Sequence, residues 1–166
     1  MNIILIGMPG CGKSTVGRLA AQRTGRDFFE TDALIEEVEG RSIAEIFSAE
    51  GEEYFRAIES LVATDVATVE NAVISTGGGM VLKPENMRVL AAKGKIFFID
   101  RTPEDIAGED HSDRPLLCGK RERVFELYTQ RIELYKKYAQ YIIKSGPEVE
   151  DTLGRLIETM EREGFL

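Results

Sequence analysis

Gly7-Met8-Pro9-Gly10-Cys11-Gly12-Lys13-Ser14 is the stretch on which the reading of this chain turns. It follows the apolar run Ile3-Ile4-Leu5-Ile6 and precedes a helical pattern over 14–24 carried by Val16, Leu19 and Ala20. A β-branched run that stops at a glycine reads as a central strand of a parallel sheet. The eight residues fit the spacing G-x-x-x-x-G-K-[S/T], and each position has a chemical reason. Glycines let the backbone wrap an anion, so that amides and the N-terminus of the next helix point at phosphate. The lysine spans the β- and γ-phosphates, and the following hydroxyl ligates Mg²⁺. At average residue usage a chance match in a chain of this length has a probability of about half a per cent. With strand before and helix after, a plain glycine turn bearing a surface lysine is a poor alternative. Gly10, Cys11, Gly12, Lys13, Ser14 and Thr15 are the candidate nucleotide-binding residues, with Cys11 read as a small filler of the loop.

Outward from this loop, strands and helices alternate. Residues 27–29 read as a second strand, with a short helix from about Asp32. Ser42-Ile43-Ala44-Glu45 is a capping-box match that opens another helix. A longer helix follows over 52–70, its stripe made by Phe55, Ile58, Val62, Val66 and Val69. Then come a strand over 72–76, three glycines, a helix over 84–93 and a strand over 95–100. A polar stretch over 101–119 precedes a helix over 120–138, a strand near 141–144 and a last helix over 148–163. The pattern predicts an α/β architecture in three α/β/α layers, a central parallel sheet covered on both faces, in one domain spanning 1–166.

Composition excludes several function classes. The 166 residues carry a formal net charge of −8, which works against coating a phosphate backbone, so no nucleic-acid partner is expected. His111 is the only histidine, and Cys11 and Cys118 are the only cysteines, so a structural zinc site and a three-histidine zinc are out. Two distant cysteines suit a reducing cytoplasm. The longest aliphatic runs fall far below the roughly 20 residues that span a bilayer, and the start of the chain has no signal-peptide pattern. No membrane partner is expected.

A nucleotide loop alone leaves a switch protein and a small-molecule kinase open. A guanine-reading N-K-x-D segment is missing from the sequence. A kinase needs a second pocket for an acceptor hydroxyl, and three features offer one. Glu30-Thr31-Asp32 ends the second strand, at the edge of the crevice where open α/β sheets bind ligands. There Asp32 can orient or deprotonate a hydroxyl and Glu30 can reach Mg²⁺ through water, although capping a helix also explains Asp32. Gly77, Gly78 and Gly79 expose amides that can cradle an anion. Arg131 falls in the middle of the stripe Val124, Leu127, Tyr128, Tyr135 and Tyr138, where the helical period asks for a hydrophobe. Arg56 flanks the stripe of the 52–70 helix beside Ser60, Ala63 and Ala67. The set describes an acceptor with one hydroxyl and one anionic group, a hydroxy acid, without saying which.

In combination the chain resembles the shikimate kinase family nearly end to end. The resemblance is carried by the phosphate loop, Glu30-Thr31-Asp32, the segment 40–47 and Gly51-Glu52-Glu53-Tyr54-Phe55-Arg56-Ala57-Ile58-Glu59. It continues through Ser75-Thr76-Gly77-Gly78-Gly79, Arg114-Pro115-Leu116-Leu117 and Arg131-Ile132-Glu133-Leu134-Tyr135. It implies ATP- and Mg²⁺-dependent phosphorylation of the shikimate 3-hydroxyl, in the route to chorismate, by a cytoplasmic, usually monomeric enzyme. It also implies that Asp32 orients the hydroxyl, that Arg56, Arg131 and the Gly78 amide bind shikimate, and that Arg114, in a mobile lid over about 105–119, reaches ATP. Two positions depart from the pattern: Glu30 stands for an aspartate, and Ala107 stands where many relatives carry a second lid arginine. Arg101 is the nearest substitute. A related kinase for another small hydroxy acid, such as gluconate, is the alternative.

Overall fold

Five parallel strands position everything that follows: β1 (Asn2–Ile6), β2 (Asp27–Glu30), β3 (Ala72–Ser75), β4 (Gly94–Asp100) and β5 (Tyr141–Lys144). They lie in the order β2-β3-β1-β4-β5 in a computed structural model that describes residues 1–108 and 121–166. β1 is buried along its whole length, which is why its sequence is apolar on both faces. It pairs Ile4 with Ile74 of β3 and with Ile96 of β4. The chain visits β2 and β3 on one side of β1 before crossing to β4 and β5, so a crevice opens beside the end of β1.

The helices are α1 (Lys13–Thr24), α2 (Thr31–Glu39), α3 (Ile43–Val66), α4 (Pro84–Ala91), α5 (Pro103–Ala107), α6 (Arg121–Tyr138) and α7 (Val149–Arg162). A 3₁₀ turn covers Met80–Leu82. α1 packs on β2, β3 and α7, while α4 and α6 pack on β4 and meet at the 3₁₀ turn, with α3 against α4. This is the expected sheet between helix layers. The Ser42 capping box forms as the sequence predicts: the Glu45 amide donates to Ser42 Oγ at 3.1 Å and the Ser42 amide donates to Glu45 Oε2 at 3.2 Å.

Several boundaries differ from the sequence reading. The helices expected from Ser42 and over 52–70 join end to end as α3, with a kink at Gly51, whose φ of 84° and ψ of 174° are not helical. α3 stops at Val66, where the Thr68 amide and hydroxyl turn back onto the Asp65 carbonyl. Val69 still packs against the core from the loop beyond. α4 ends at Ala91 because β4 already begins at Gly94, whose Cα lies so close to Ile4 that a Cβ would sit 2.7 Å from its side chain.

α5 was not expected at all. Thr102 caps it by accepting from the Asp105 amide at 3.3 Å, Pro103 takes its first turn, and Ile106 is fully buried. A single apolar residue in a polar stretch gave no helical period, although Thr-Pro-Glu-Asp is a helix-start pattern. The first positions assigned to the lid, 105–107, therefore belong to a packed helix. Arg114, His111 and Cys118 lie outside the described residues.

Candidate active site

The ends of β1, β2 and β3 deliver three segments to one cavity of about 260 Å³. The phosphate loop follows β1, Thr31 and Asp32 follow β2, and the glycines 77–79 follow β3. Arg56 and Glu59 enter from α3 and Arg131 from α6, so every expected site residue among the described ones except the loop filler Cys11 lines this cavity.

At the nucleotide end, Gly10 and Gly12 adopt φ values of 79° and 92°, which only glycine takes without strain. Lys13 is buried, and its ammonium donates to the carbonyls of Gly7 and Met8, each at 2.9 Å. The lysine thus ties the loop to itself and lies 3.6 Å from Cys11 Sγ. Cys11 is buried under the loop, as a filler would be. Ser14 donates to Glu30 Oε1 at 2.6 Å and lies 3.2 Å from the Ser75 hydroxyl. Thr15 is exposed on the first turn of α1 beside the cavity. Glu30, one methylene longer than aspartate, therefore reaches Ser14 directly. Ser75 was missed as a neighbour of this pair; its place near the end of a strand running into the glycines was the available signal.

At the acceptor end, Asp32 sits on the first turn of α2, but the residue preceding this helix is Glu30, which makes no side-chain capping bond. The capping explanation of Asp32 is not what the structure shows. Its carboxylate is instead turned to the glycine segment: a Cβ on Gly77 would lie 2.6 Å from Asp32 Oδ1 and 3.0 Å from Glu59 Oε2. Gly77 contributes this close approach and not its amide, because that amide donates to Thr31 Oγ1 at 3.0 Å. A Cβ on Gly79 would fall 2.2 Å from Arg56 Nη1, so the guanidinium lies flat against the turn.

The two arginines are held differently. Arg56 donates to Glu59 Oε1 at 3.0 Å and to Glu52 Oε1 at 3.2 Å. Glu59 is 1% exposed, and burial pushes its carboxyl above the usual range despite the opposing pull of Arg56. The nearby Asp32 charge pushes the same way and Arg131 pulls back. Glu59 escaped the sequence reading because one acidic residue among Glu50, Glu52 and Glu53 carries no signal of burial. Arg131 occupies the buried stripe Val124, Leu127, Arg131 and Tyr135, as its spacing predicts. It is 3% exposed, and its Nη1 is buried without a hydrogen-bond partner. A buried cationic donor left unpaired costs free energy unless something anionic meets it.

Arg101 Nη1 donates to the Gly10 carbonyl at 3.2 Å, which puts it on the phosphate loop. Among the described residues no group of three or more His, Cys, Asp or Glu could hold a metal ion by itself. A site of that kind suits an ion carried largely by phosphates and water. No helix among the described residues is long and apolar enough to cross a membrane.

The family model described as shikimate kinase matches residues 9–161. A shikimate kinase from Clostridium botulinum (strain Eklund 17B / Type B) is 42% identical over 156 residues, covering 93% of this chain and 94% of that protein. A solved structure of shikimate kinase from Acinetobacter baumannii in complex with shikimate superposes with a TM-score of 0.91 at 31% identity, covering 99% of this chain and 94% of that one. A gluconokinase from Sinorhizobium meliloti 1021 gives a TM-score of 0.58 at 14% identity, with 99% of this chain and 95% of that one covered, a likeness of fold alone.

Proposed function

This chain belongs to the shikimate kinase family, and from that premise we propose how its own residues serve phosphoryl transfer from ATP to the 3-hydroxyl of shikimate, a step of aromatic amino-acid biosynthesis. The observation that carries the reading is Arg131. A guanidinium sunk in a core stripe, with one nitrogen unpaired, stands in the same cavity as the phosphate loop and Asp32. A carboxylate-bearing acceptor satisfies it.

The loop amides and Lys13 hold the nucleotide phosphates; Lys13 leaves the Gly7 and Met8 carbonyls to do so. Gly10, Cys11, Gly12 and Thr15 frame the same anion, and Ser14 with Glu30 would hold Mg²⁺, Glu30 through water. Mg²⁺, when bound, neutralises charge on the phosphates. Asp32 orients the acceptor hydroxyl and takes its proton as the bond to phosphorus forms. Arg131 and Arg56 receive the shikimate carboxylate, with Glu59 fixing the Arg56 fork by a charge-assisted bond. The Gly78 amide binds a hydroxyl.

Arg114 is the lid cation, with Ala107 in place of a second one; Arg101, already at the Gly10 carbonyl, supplies a further cation beside the phosphate loop. The enzyme works as a cytoplasmic monomer with no nucleic-acid or membrane partner. A coupled ADP-release assay with shikimate, gluconate and nucleoside monophosphates tests the assignment. Shikimate should be the acceptor by orders of magnitude; turnover with gluconate alone would refute it.

A further inference from the structure

The hydrogen bonds of the three-glycine turn can be accounted for one by one. The Gly77 amide donates to Thr31 Oγ1, and the carbonyls of Gly77 and Gly79 accept from the amides of Met80 and Leu82, at 3.1 and 3.0 Å. The Gly78 carbonyl accepts from the phenol of Tyr135 at 2.6 Å, across 57 positions of sequence. Every carbonyl of the turn is thereby used inside the protein, which leaves the amides of Gly78 and Gly79 for a ligand. On its other side Gly78 is wedged against Pro9 of the phosphate loop, where a Cβ would come within 2.5 Å of the ring.

Tyr135 is well placed to hold that carbonyl. It is fully buried, its ring stacks on Phe98 of β4 with centroids 5.2 Å apart, and it sits one helical turn beyond Arg131. Burial pushes its phenol far above the ordinary range, so the proton it donates is present at any working pH. In a trans peptide the C=O and the next N–H point in opposite directions. Pinning the Gly78 carbonyl therefore also aims the Gly79 amide away from Tyr135.

We propose that Tyr135 is a positioning residue of the acceptor site: its phenol fixes the Gly78–Gly79 peptide, so that the glycine amides and the Arg131 guanidinium one turn earlier meet the acceptor in a single geometry. The proposal rests on the shikimate-site reading above and assigns the aromatic ring of α6 a part in binding that packing alone would not give it. Its specific consequence is one-sided. Lys13 bonds the Gly7 and Met8 carbonyls rather than Gly78, which touches the phosphate loop at the Pro9 ring and not through its carbonyl, so the effect should fall chiefly on the acceptor.

Tyr135→Phe keeps the ring and its stack on Phe98 and removes only the donor. The KM for shikimate should rise roughly 2- to 12-fold, the range set by losing one hydrogen bond, with the KM for ATP unchanged. Calorimetry with shikimate should show the same ratio. Unchanged shikimate binding, or equal weakening of both substrates, would overturn the proposal, the second outcome marking a purely structural tyrosine. Wild-type enzyme run beside it separates the two levels. If wild type fails to phosphorylate shikimate, the functional reading fails; if wild type works and Tyr135→Phe keeps its shikimate KM, only the inference on Tyr135 fails.

Discussion

The nucleotide end of the cavity is built mainly from one stretch, residues 7–15, with Glu30 and Ser75 meeting it at Ser14, whereas the acceptor end draws on α2, α3, the glycine turn and α6, which lie far apart in sequence. The first end is made of backbone. Its glycines, its loop carbonyls and the lysine folded onto them are neighbours in sequence, so most of the geometry is local. The second is made of charged side chains that the fold has buried: Arg56 against Glu59, Arg131 within a hydrophobic stripe, Asp32 against Gly77. A local loop recognises what every nucleotide shares. A pocket assembled across the fold can recognise one acceptor, and its stability is tied to the same residues as its specificity.

That contrast can be broken most forcefully at Asp32. Asp32→Asn is nearly isosteric, and α2 takes no side-chain cap from this position, so the melting temperature should hold while kcat falls by roughly 10²–10⁴. A mutant that turns over normally but melts early would return Asp32 to a structural role. Lys13→Ala comes next. Loss of a cationic donor at the transferring group should lower kcat by about 10²–10³. Because the lysine also satisfies two loop carbonyls, a stability loss of about 1–3 kcal/mol should accompany it, measurable by denaturant melts.

The arginines sharpen the comparison within the acceptor end. Arg131→Ala should weaken shikimate roughly 10- to 150-fold in calorimetry, since a charge-assisted contact is worth about 1.5–3 kcal/mol, and leave ATP unchanged. Arg56→Ala should give the same selectivity at a greater cost in stability, because it strands Glu59 in the interior. Equal loss of both ligands would mean that the two ends are not separable.

The smallest effect concerns pH. Burial raises the Glu59 carboxyl above its ordinary value of 4.5, so the folded chain holds that proton more tightly than the unfolded one. Stability from this group is then full below about 4.5 and declines as pH rises through the raised value. Melting temperature followed from acid to neutral pH should show this decline in wild type and lose it in Glu59→Gln.

The same division explains what could be read from sequence. The loop at 7–15 and the alternating strands were legible because the chemistry and the periodicity are both local. Arg131 was legible because it violates a stripe whose other members are apolar. Glu59, Ser75 and the phenol of Tyr135 were not, since each acts through a partner brought close only by the fold. α5 stayed hidden because one buried isoleucine makes no period. Gly77 was expected to offer its amide; Thr31, a neighbour only in space, takes it.

Where the phosphate goes tests these residue roles most directly. Purified enzyme given ATP, Mg²⁺ and shikimate should release one ADP for each shikimate consumed, and phosphorus NMR of the product should place the new ester on the 3-hydroxyl. ADP released without phosphorylated shikimate, or an ester at another hydroxyl, would contradict a cavity in which Asp32 selects the acceptor oxygen and the arginines hold the carboxylate.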